Sequence, residues 1–216
     1  MDKSKIIIQT SEFVKDKLKN DSSGHDWWHI YRVLTLARKI QNTAGGNLFI
    51  IELAALLHEV ADWKFNSSET EGLKVINDWL ESQQVNSEII KSVLYIIENI
   101  SYKGEGETHE MKTIEGKIVQ DADRLDAIGA IGIARTFAFG GFKGNEMHNP
   151  DFKPIADMKF DQYKKSNGTT INHFYEKLLL LKNLMNTNSA KLIAESRHAF
   201  MEHYLERFYN EWDGNI

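Results

Sequence analysis

The stretch LLHEVADWKF, residues 56–65, places three polar groups among apolar residues. The residues before it are almost all apolar, which predicts a helix over 48–61 that lies in the core. His58 is followed directly by Glu59, and Asp62 lies one turn beyond His58 on the same helical face. Burying a carboxylate is costly unless it is paired or coordinated. A bound cation would therefore explain why these groups stand in a buried segment.

Two other segments put similar groups into apolar helices. GHDWWHIYRVLTLARKI, residues 24–40, carries His29 at the start of an amphipathic helix. KIVQDADRLDAIGAIG, residues 117–132, carries three aspartates, and of these Asp123 could bind an ion or instead pair with Arg124 or a distant lysine. One ion shared by all three segments is the simpler explanation. Histidine and carboxylate donors suit a divalent Mn, Fe, Zn, Ni or Mg ion.

Helical periodicity runs through almost the whole chain, and no segment has convincing strand alternation or an internal repeat. The pattern predicts an all-α fold with helices over 3–19, 26–43, 48–61, 68–82, 86–100, 111–127, 129–138, 170–186 and 188–211. The only two prolines lie in the segment 140–169, which is predicted to be the one long irregular region. Such a segment is expected to be functional or a surface connection.

Composition narrows the class of protein. The chain has 216 residues and a formal net charge of −5, which argues against a general binder of nucleic-acid phosphates. It has no cysteine, which excludes disulfides, thiolate metal sites and a cysteine nucleophile. No apolar run reaches membrane-spanning length, and the first apolar run is too short for a signal peptide. We expect a cytoplasmic protein with neither nucleic acid nor membrane as a partner; its oligomeric state is left open.

The strings HDWWHIYRV, LLHEVADWKF and IVQDADRLDAIGAIG, in this order, resemble the HD-domain superfamily of metal-dependent phosphohydrolases. Within it the chain is similar to a small bacterial branch, and the resemblance extends from about residue 20 to the C-terminus. It implies an all-α, single-domain HD fold over 1–216. The motif core would occupy about 20–130 and a C-terminal helical part about 130–212.

The resemblance also implies a ligand set for one divalent ion. His29 corresponds to the first ligand, His58 to the second and Asp123 to the fourth. The third is normally the aspartate of the His-Asp dyad, but this chain has Glu59 there. Glutamate keeps the charge and both oxygens but moves them outward by one methylene group. Glu59 could bend back and bind, which we favour, or it could alter metal preference or impair the site.

Further roles follow from the resemblance and from the position of residues beside the motifs. An acidic residue one turn after the dyad histidine orients or deprotonates the attacking water in related enzymes, so Asp62 is the candidate general base. It could instead cap the helix or pair with Lys64. Arg32, Lys64 and Lys103 are candidates for holding phosphate oxygens, although each alone resembles an ordinary solvated cation. Trp27, Trp28 and Trp63 flank the motifs, where they could stack a base or simply pack in the core.

The sequence therefore predicts a metal-dependent phosphohydrolase acting on a small phosphorylated molecule. The resemblance favours a nucleotide as the substrate. The sequence does not fix whether a nucleoside triphosphate is split to a monophosphate and pyrophosphate, which the resemblance slightly favours, or a terminal phosphate is removed from a monophosphate. One alternative is a catalytically impaired nucleotide- or metal-binding module, because residue 59 is glutamate. A second alternative is a helical scaffold whose acidic clusters are solvated.

Overall fold

A computed structural model describes residues 2–19, 26–61, 69–100, 111–155 and 168–216. Its α-helices are α1 Lys3–Lys17, α2 Trp27–Ala44, α3 Leu48–Leu57, α4 Glu69–Ser82, α5 Ser87–Ile100, α6 Ile114–Asp126, α7 Gly129–Lys143, α8 Thr170–Glu176 and α9 Asn188–Trp212. A 3₁₀ helix, Leu178–Leu184, lies between α8 and α9. No strand occurs within these ranges, and the prediction of an all-α fold is confirmed.

Contacts divide the described residues into two compact units. The first unit includes the residues up to Ala122, and the second includes those from Asp123 to the C-terminus. The division falls inside α6, so that one helix supplies residues to both units. That the whole chain acts as one HD-type domain stays a prediction.

The first unit is built around α3. This helix is apolar on nearly all sides, and Ile51, Leu53 and Leu56 are fully buried. A helix without a polar face must be surrounded by others, and α3 contacts α1, α2 and α5, while α4 packs on α5. The stripe that α2 turns inward includes Val33 and Ala37, four residues apart. The core of this unit therefore lies around the helix that precedes the His-Glu dyad.

The connection between α2 and α3 is fixed by glycine and by a carboxylate. Gly45 and Gly46 have φ of 79° and 85°, values that glycine adopts without the strain a side chain would cause. The backbone N–H of Asn47 donates to Oε1 of Glu115 at 2.8 Å, and Oδ1 of Asn47 accepts from the N–H of Phe49. These bonds cap α3 and tie its start to the first turn of α6.

The second unit packs α7, α8 and the 3₁₀ helix with α9. Phe174 of α8 is fully buried, and its ring lies 6.1 Å from that of Phe137 and 6.0 Å from that of Tyr204. A Cβ atom on Gly140 would lie 2.2 Å from Oγ1 of Thr170. Glycine at position 140 therefore allows α7 and α8 to approach closely.

The predicted helices differ most from the structure in three places. The helix predicted over 48–61 ends at Leu57, and the one over 170–186 is divided into α8 and the 3₁₀ helix. Leu178 and Leu181 are both buried, and residues three apart share a face in a 3₁₀ helix. Helix α7 continues to Lys143, so the first residues of the segment 140–169 are helical.

The end of α3 has a local cause. Nδ1 of His58 lies 2.8 Å from the carbonyl oxygen of Ala55, the acceptor that an uninterrupted helix would offer to the N–H of Glu59. The N–H of Val60 instead bonds the carbonyl of Leu57 in a tighter, three-residue turn. The side chain of His58 thus competes with the backbone and replaces the expected helical turn.

No single helix in the described ranges has both the length and the apolar character needed to cross a membrane, and only α6 and α7 counted together reach them.

Candidate metal centre

His29 is held in the first turn of α2. Asp26 caps this helix, and its Oδ1 accepts from the backbone N–H of His29 at 3.0 Å. Such a cap stabilises a helix by ~1 kcal/mol. The side chain of His29 is 1% exposed, so the imidazole faces the interior of the first unit. The cap by Asp26 therefore fixes the backbone at His29.

His58 and Glu59 follow α3 in the turns that end it. Both residues are buried, each with 8% of its surface exposed. Neighbouring side chains on a regular helix diverge by about 100° and do not face each other. Here Oε1 of Glu59 lies 3.6 Å from Nε2 of His58. The early end of α3 is thus associated with two adjacent side chains that converge.

These three side chains form a compact donor cluster. Nε2 of His29 lies 3.3 Å from Nε2 of His58 and 3.4 Å from Oε1 of Glu59. Donors about 2.1 Å from one ion lie about 3.0 Å apart at a right angle and about 3.4 Å apart at a tetrahedral angle. The measured separations fit three ligands of a single ion. Because glutamate reaches into the cluster, its extra methylene does not remove its carboxylate from the site.

The orientation of the His58 ring suits metal binding. The carbonyl oxygen of Ala55 can only accept, so the hydrogen bond to it places the proton of neutral His58 on Nδ1. The lone pair of Nε2 then faces His29 and Glu59. A second hydrogen bond of this kind is a recurrent feature of histidines that bind metal, because it fixes both the tautomer and the ring. Buried imidazole and carboxylate donors together can hold a divalent cation.

The roles of the other predicted site residues stay predictions. Asp123 lies half-buried in the last turn of α6 and belongs to the second unit, so its role as fourth ligand stays a prediction. Arg32 is half-buried on α2, one turn beyond His29. Asp62, Lys64 and Lys103 lie outside the described residues, and their roles also stay predictions.

Around Asp123, arginines fix the end of α6. Asp126 is 1% exposed, and its Oδ2 accepts from Nη1 of Arg135 at 2.8 Å. The carbonyl of Leu125 accepts from Arg197. These contacts hold the aspartate-rich turn within the second unit by charge-assisted hydrogen bonds.

Sequence reasoning did not single out Lys177, which follows α8. The pKa of this lysine is lowered, chiefly because the side chain is buried. The carboxylate of Asp123 acts in the opposite direction, and Arg135 lowers the pKa further. The pKa of nearby His173 falls to about 3, chiefly through burial and then through the charge of Lys177. Because the charge of Asp123 affects the pKa of Lys177, this lysine is part of the electrostatic surroundings of Asp123. In the sequence, the one feature that could have drawn attention to Lys177 is its position directly before the apolar run LLLL.

The tryptophans beside the motifs differ in their surroundings. Trp27 is half-buried, and Nζ of Lys15 on α1 lies 4.6 Å from its ring centroid. Trp28 is 60% exposed, so core packing does not explain it. Trp63 lies outside the described residues.

Comparison with known proteins adds independent findings. The HD domain profile matches residues 27–128. A crystal structure of an HD-superfamily hydrolase from Bacillus thuringiensis is 51% identical over 98% of both chains, with a TM-score of 0.79. YpgQ of Bacillus subtilis is 38% identical over 99% of this chain and 97% of its own length. The crystal structure of YpgQ in complex with ADP covers 95% of this chain and 97% of that chain, with 36% identity and a TM-score of 0.76.

Proposed function

Because the chain belongs to the HD domain superfamily of hydrolases, we propose that it is a metal-dependent phosphohydrolase whose substrate is a nucleotide. The observation that carries this proposal is the buried cluster of His29, His58 and Glu59, whose donor atoms are spaced as ligands of one ion. The ADP complex of the relative YpgQ supports a nucleotide as the substrate class. Pyrophosphohydrolysis of nucleoside triphosphates is the reaction that we favour.

In this proposal His29, His58 and Glu59 supply three ligands, and Asp123 supplies the fourth. Neutral imidazole nitrogens and carboxylate oxygens suit Mn, Ni, Fe, Zn or Mg, and this donor set alone does not choose among them. The bond from His58 to the Ala55 carbonyl keeps its ring in place while the ion exchanges.

The chemistry adds water across a P–O bond. A bound divalent cation would polarise a phosphoryl oxygen and favour loss of a proton from water. Asp62 takes that proton as general base, and Arg32, Lys64 and Lys103 hold the phosphate oxygens. Attack at the α-phosphorus breaks its bond to the bridging oxygen, which yields a nucleoside monophosphate and pyrophosphate.

Glu59 separates this proposal from the impaired-module alternative. Its Oε1 lies 3.4 Å and 3.6 Å from the two imidazole nitrogens, a reach that favours retained metal binding over a lost ligand. The absence of cysteine agrees with a reducing compartment, and we keep the cytoplasm as the proposed location.

The test is turnover of a nucleotide panel by protein supplied with each candidate metal, with products identified by ³¹P NMR. Glu59→Asp is assayed beside the wild type. We expect turnover by both proteins and formation of pyrophosphate. Release of a single phosphate would support a phosphatase instead. Activity that appears only in the aspartate variant would favour the impaired module.

A further inference from the structure

We propose that Trp28 and Tyr31, on α2, form a platform on which the nucleobase of the substrate stacks. This inference rests on the proposed function, since it assigns the base-recognition part of the same site. Neither aromatic residue is explained by the metal cluster or by the core.

Exposure is the first argument. Trp28 is 60% exposed and Tyr31 is 50% exposed. This is unusual, because burying a large aromatic side chain stabilises the folded protein. The adjacent Trp27 is half-buried and lies against Lys15 of α1. Two neighbouring tryptophans thus have different surroundings, and Trp28 is the one left facing outward.

The geometry of the pair is the second argument. The ring centroids of Trp28 and Tyr31 lie 5.9 Å apart, and their planes meet at 78°. An edge-to-face contact covers at most one of the four ring faces that two aromatic residues present. The remaining faces are available to a flat ligand. The contact also limits the motion of both rings, which lowers the entropy cost of ordering them on binding.

Position relative to the metal cluster is the third argument. Successive residues turn by about 100° around a helix, so the order around α2 is His29, Arg32, Trp28 and Tyr31 within about 160°. The inward end of this arc is the buried His29, and the outward end is the exposed pair. Half-buried Arg32 lies between them. This order matches a nucleotide, whose phosphates would reach the cation and the arginine while its base reaches the aromatic rings.

The chemistry of stacking defines the selectivity. Every base has a π face, so a platform of this kind accepts all bases and discriminates weakly. Purines offer more ring area than pyrimidines, and we expect them to bind more tightly. A substrate without a base would gain nothing from these two residues.

The experiment compares the KM of the metal-loaded enzyme for ATP with its KM for inorganic tripolyphosphate, which has no base. Removing one stacking ring costs about 5-fold to 100-fold in base affinity, so Trp28→Ala should raise the KM ratio of ATP to tripolyphosphate by about that factor. Trp28→Phe, which keeps a ring, should restore most of the ratio. Tyr31→Ala should change the ratio in the same direction as Trp28→Ala.

Phe142→Ala is the matched control, because Phe142 on α7 is 59% exposed and is part of neither proposed site. Its KM ratio should equal that of the wild type. An unchanged ratio in Trp28→Ala, or equal losses on both substrates, would overturn the platform.

Calorimetric binding of ADP and of pyrophosphate provides a readout that does not need turnover. Wild-type protein that binds ADP but hydrolyses no nucleotide would refute the proposed reaction, and the affinity of Trp28→Ala for ADP would still decide the platform. Wild-type protein that binds neither ADP nor ATP would refute both.

Discussion

Both units contain buried carboxylates, and two of these, Glu59 and Asp126, have different neighbours. In the first unit, Glu59 lies beside the imidazoles of His29 and His58. In the second unit, Asp126 is bonded to the guanidinium of Arg135. Arginine is a permanent cation that is covalently part of the chain. Neutral imidazoles contribute lone pairs instead, and these suit an exchangeable cation.

The difference suggests a division of tasks between the two clusters. A buried carboxylate with an arginine partner forms a closed arrangement, and its removal should affect mainly folding. A carboxylate with two histidine partners has the composition of an ion site, and its disruption should affect mainly metal binding and turnover. Substitutions in the two clusters can therefore be compared directly.

The largest expected effect is that of His58→Ala. Losing this proposed ligand should reduce metal-supported turnover at least about a thousandfold, because a bound cation supplies several kcal/mol of transition-state stabilisation. Steady-state kinetics and metal content by mass spectrometry measure the effect. His203→Ala, in a largely exposed side chain on α9, should retain activity. Normal turnover and normal metal content in His58→Ala would contradict an ion site.

Arg135→Ala tests the closed arrangement. It should lower the free energy of unfolding by ~3 kcal/mol, because it removes the guanidinium that is bonded to the buried carboxylate of Asp126. Urea unfolding followed by circular dichroism measures the change. Arg207→Ala is the control, since Arg207 pairs with Glu211 on the surface and such pairs contribute ~1 kcal/mol or less. Equal losses in the two variants would remove the contrast between buried and exposed pairs.

The third prediction concerns a histidine beside a cation instead of a carboxylate. Burial, and then Lys177, lower the pKa of His173 from 6.5 to about 3, so the folded protein keeps this ring neutral. The unfolded chain takes up a proton below pH 6.5, whereas the folded chain does so only near pH 3. The free energy of unfolding should therefore fall as the pH decreases between these values.

His173→Gln removes that contribution. The loss of stability from pH 7 to pH 5 should be ~1–2 kcal/mol smaller in this variant than in the wild type. His203→Gln, with an exposed ring, should behave as the wild type does. Parallel pH profiles for the wild type and His173→Gln would show that the ring is not held neutral by the fold.

Much of the architecture was predictable because helices depend on local patterns. The cap at Asp26, the glycines after α2 and the apolar stripe of α2 all act within a few residues. The choice of His29, His58 and Glu59 as a group also came from the sequence, and their donor atoms do lie together. Their metal-binding role, like that of Asp123, stays a prediction.

Other features were not predictable, because the helical pattern of apolar residues does not show the contacts on which they depend. The end of α3 depends on a side-chain hydrogen bond that competes with a helical one. Periodicity over two turns does not separate a 3₁₀ helix from an α-helix, and the division after α8 was therefore missed. The sequence pattern did not distinguish Trp27 from Trp28. In the structure, the ring of Trp27 lies beside Lys15 of α1, whereas Trp28 is exposed.

The sequence by itself determined that the chain is helical, which residues could donate to a metal and which superfamily it resembles. The first two properties belong to residue types and to spacings of three and four, whereas the resemblance rests on the three motif strings. Only the tertiary structure decided that His29 and His58, 29 residues apart, bring their nitrogens within 3.3 Å, and that Asp126 meets Arg135. The reason is physical: periodicity tells which face of a helix is buried, but packing decides what that face meets.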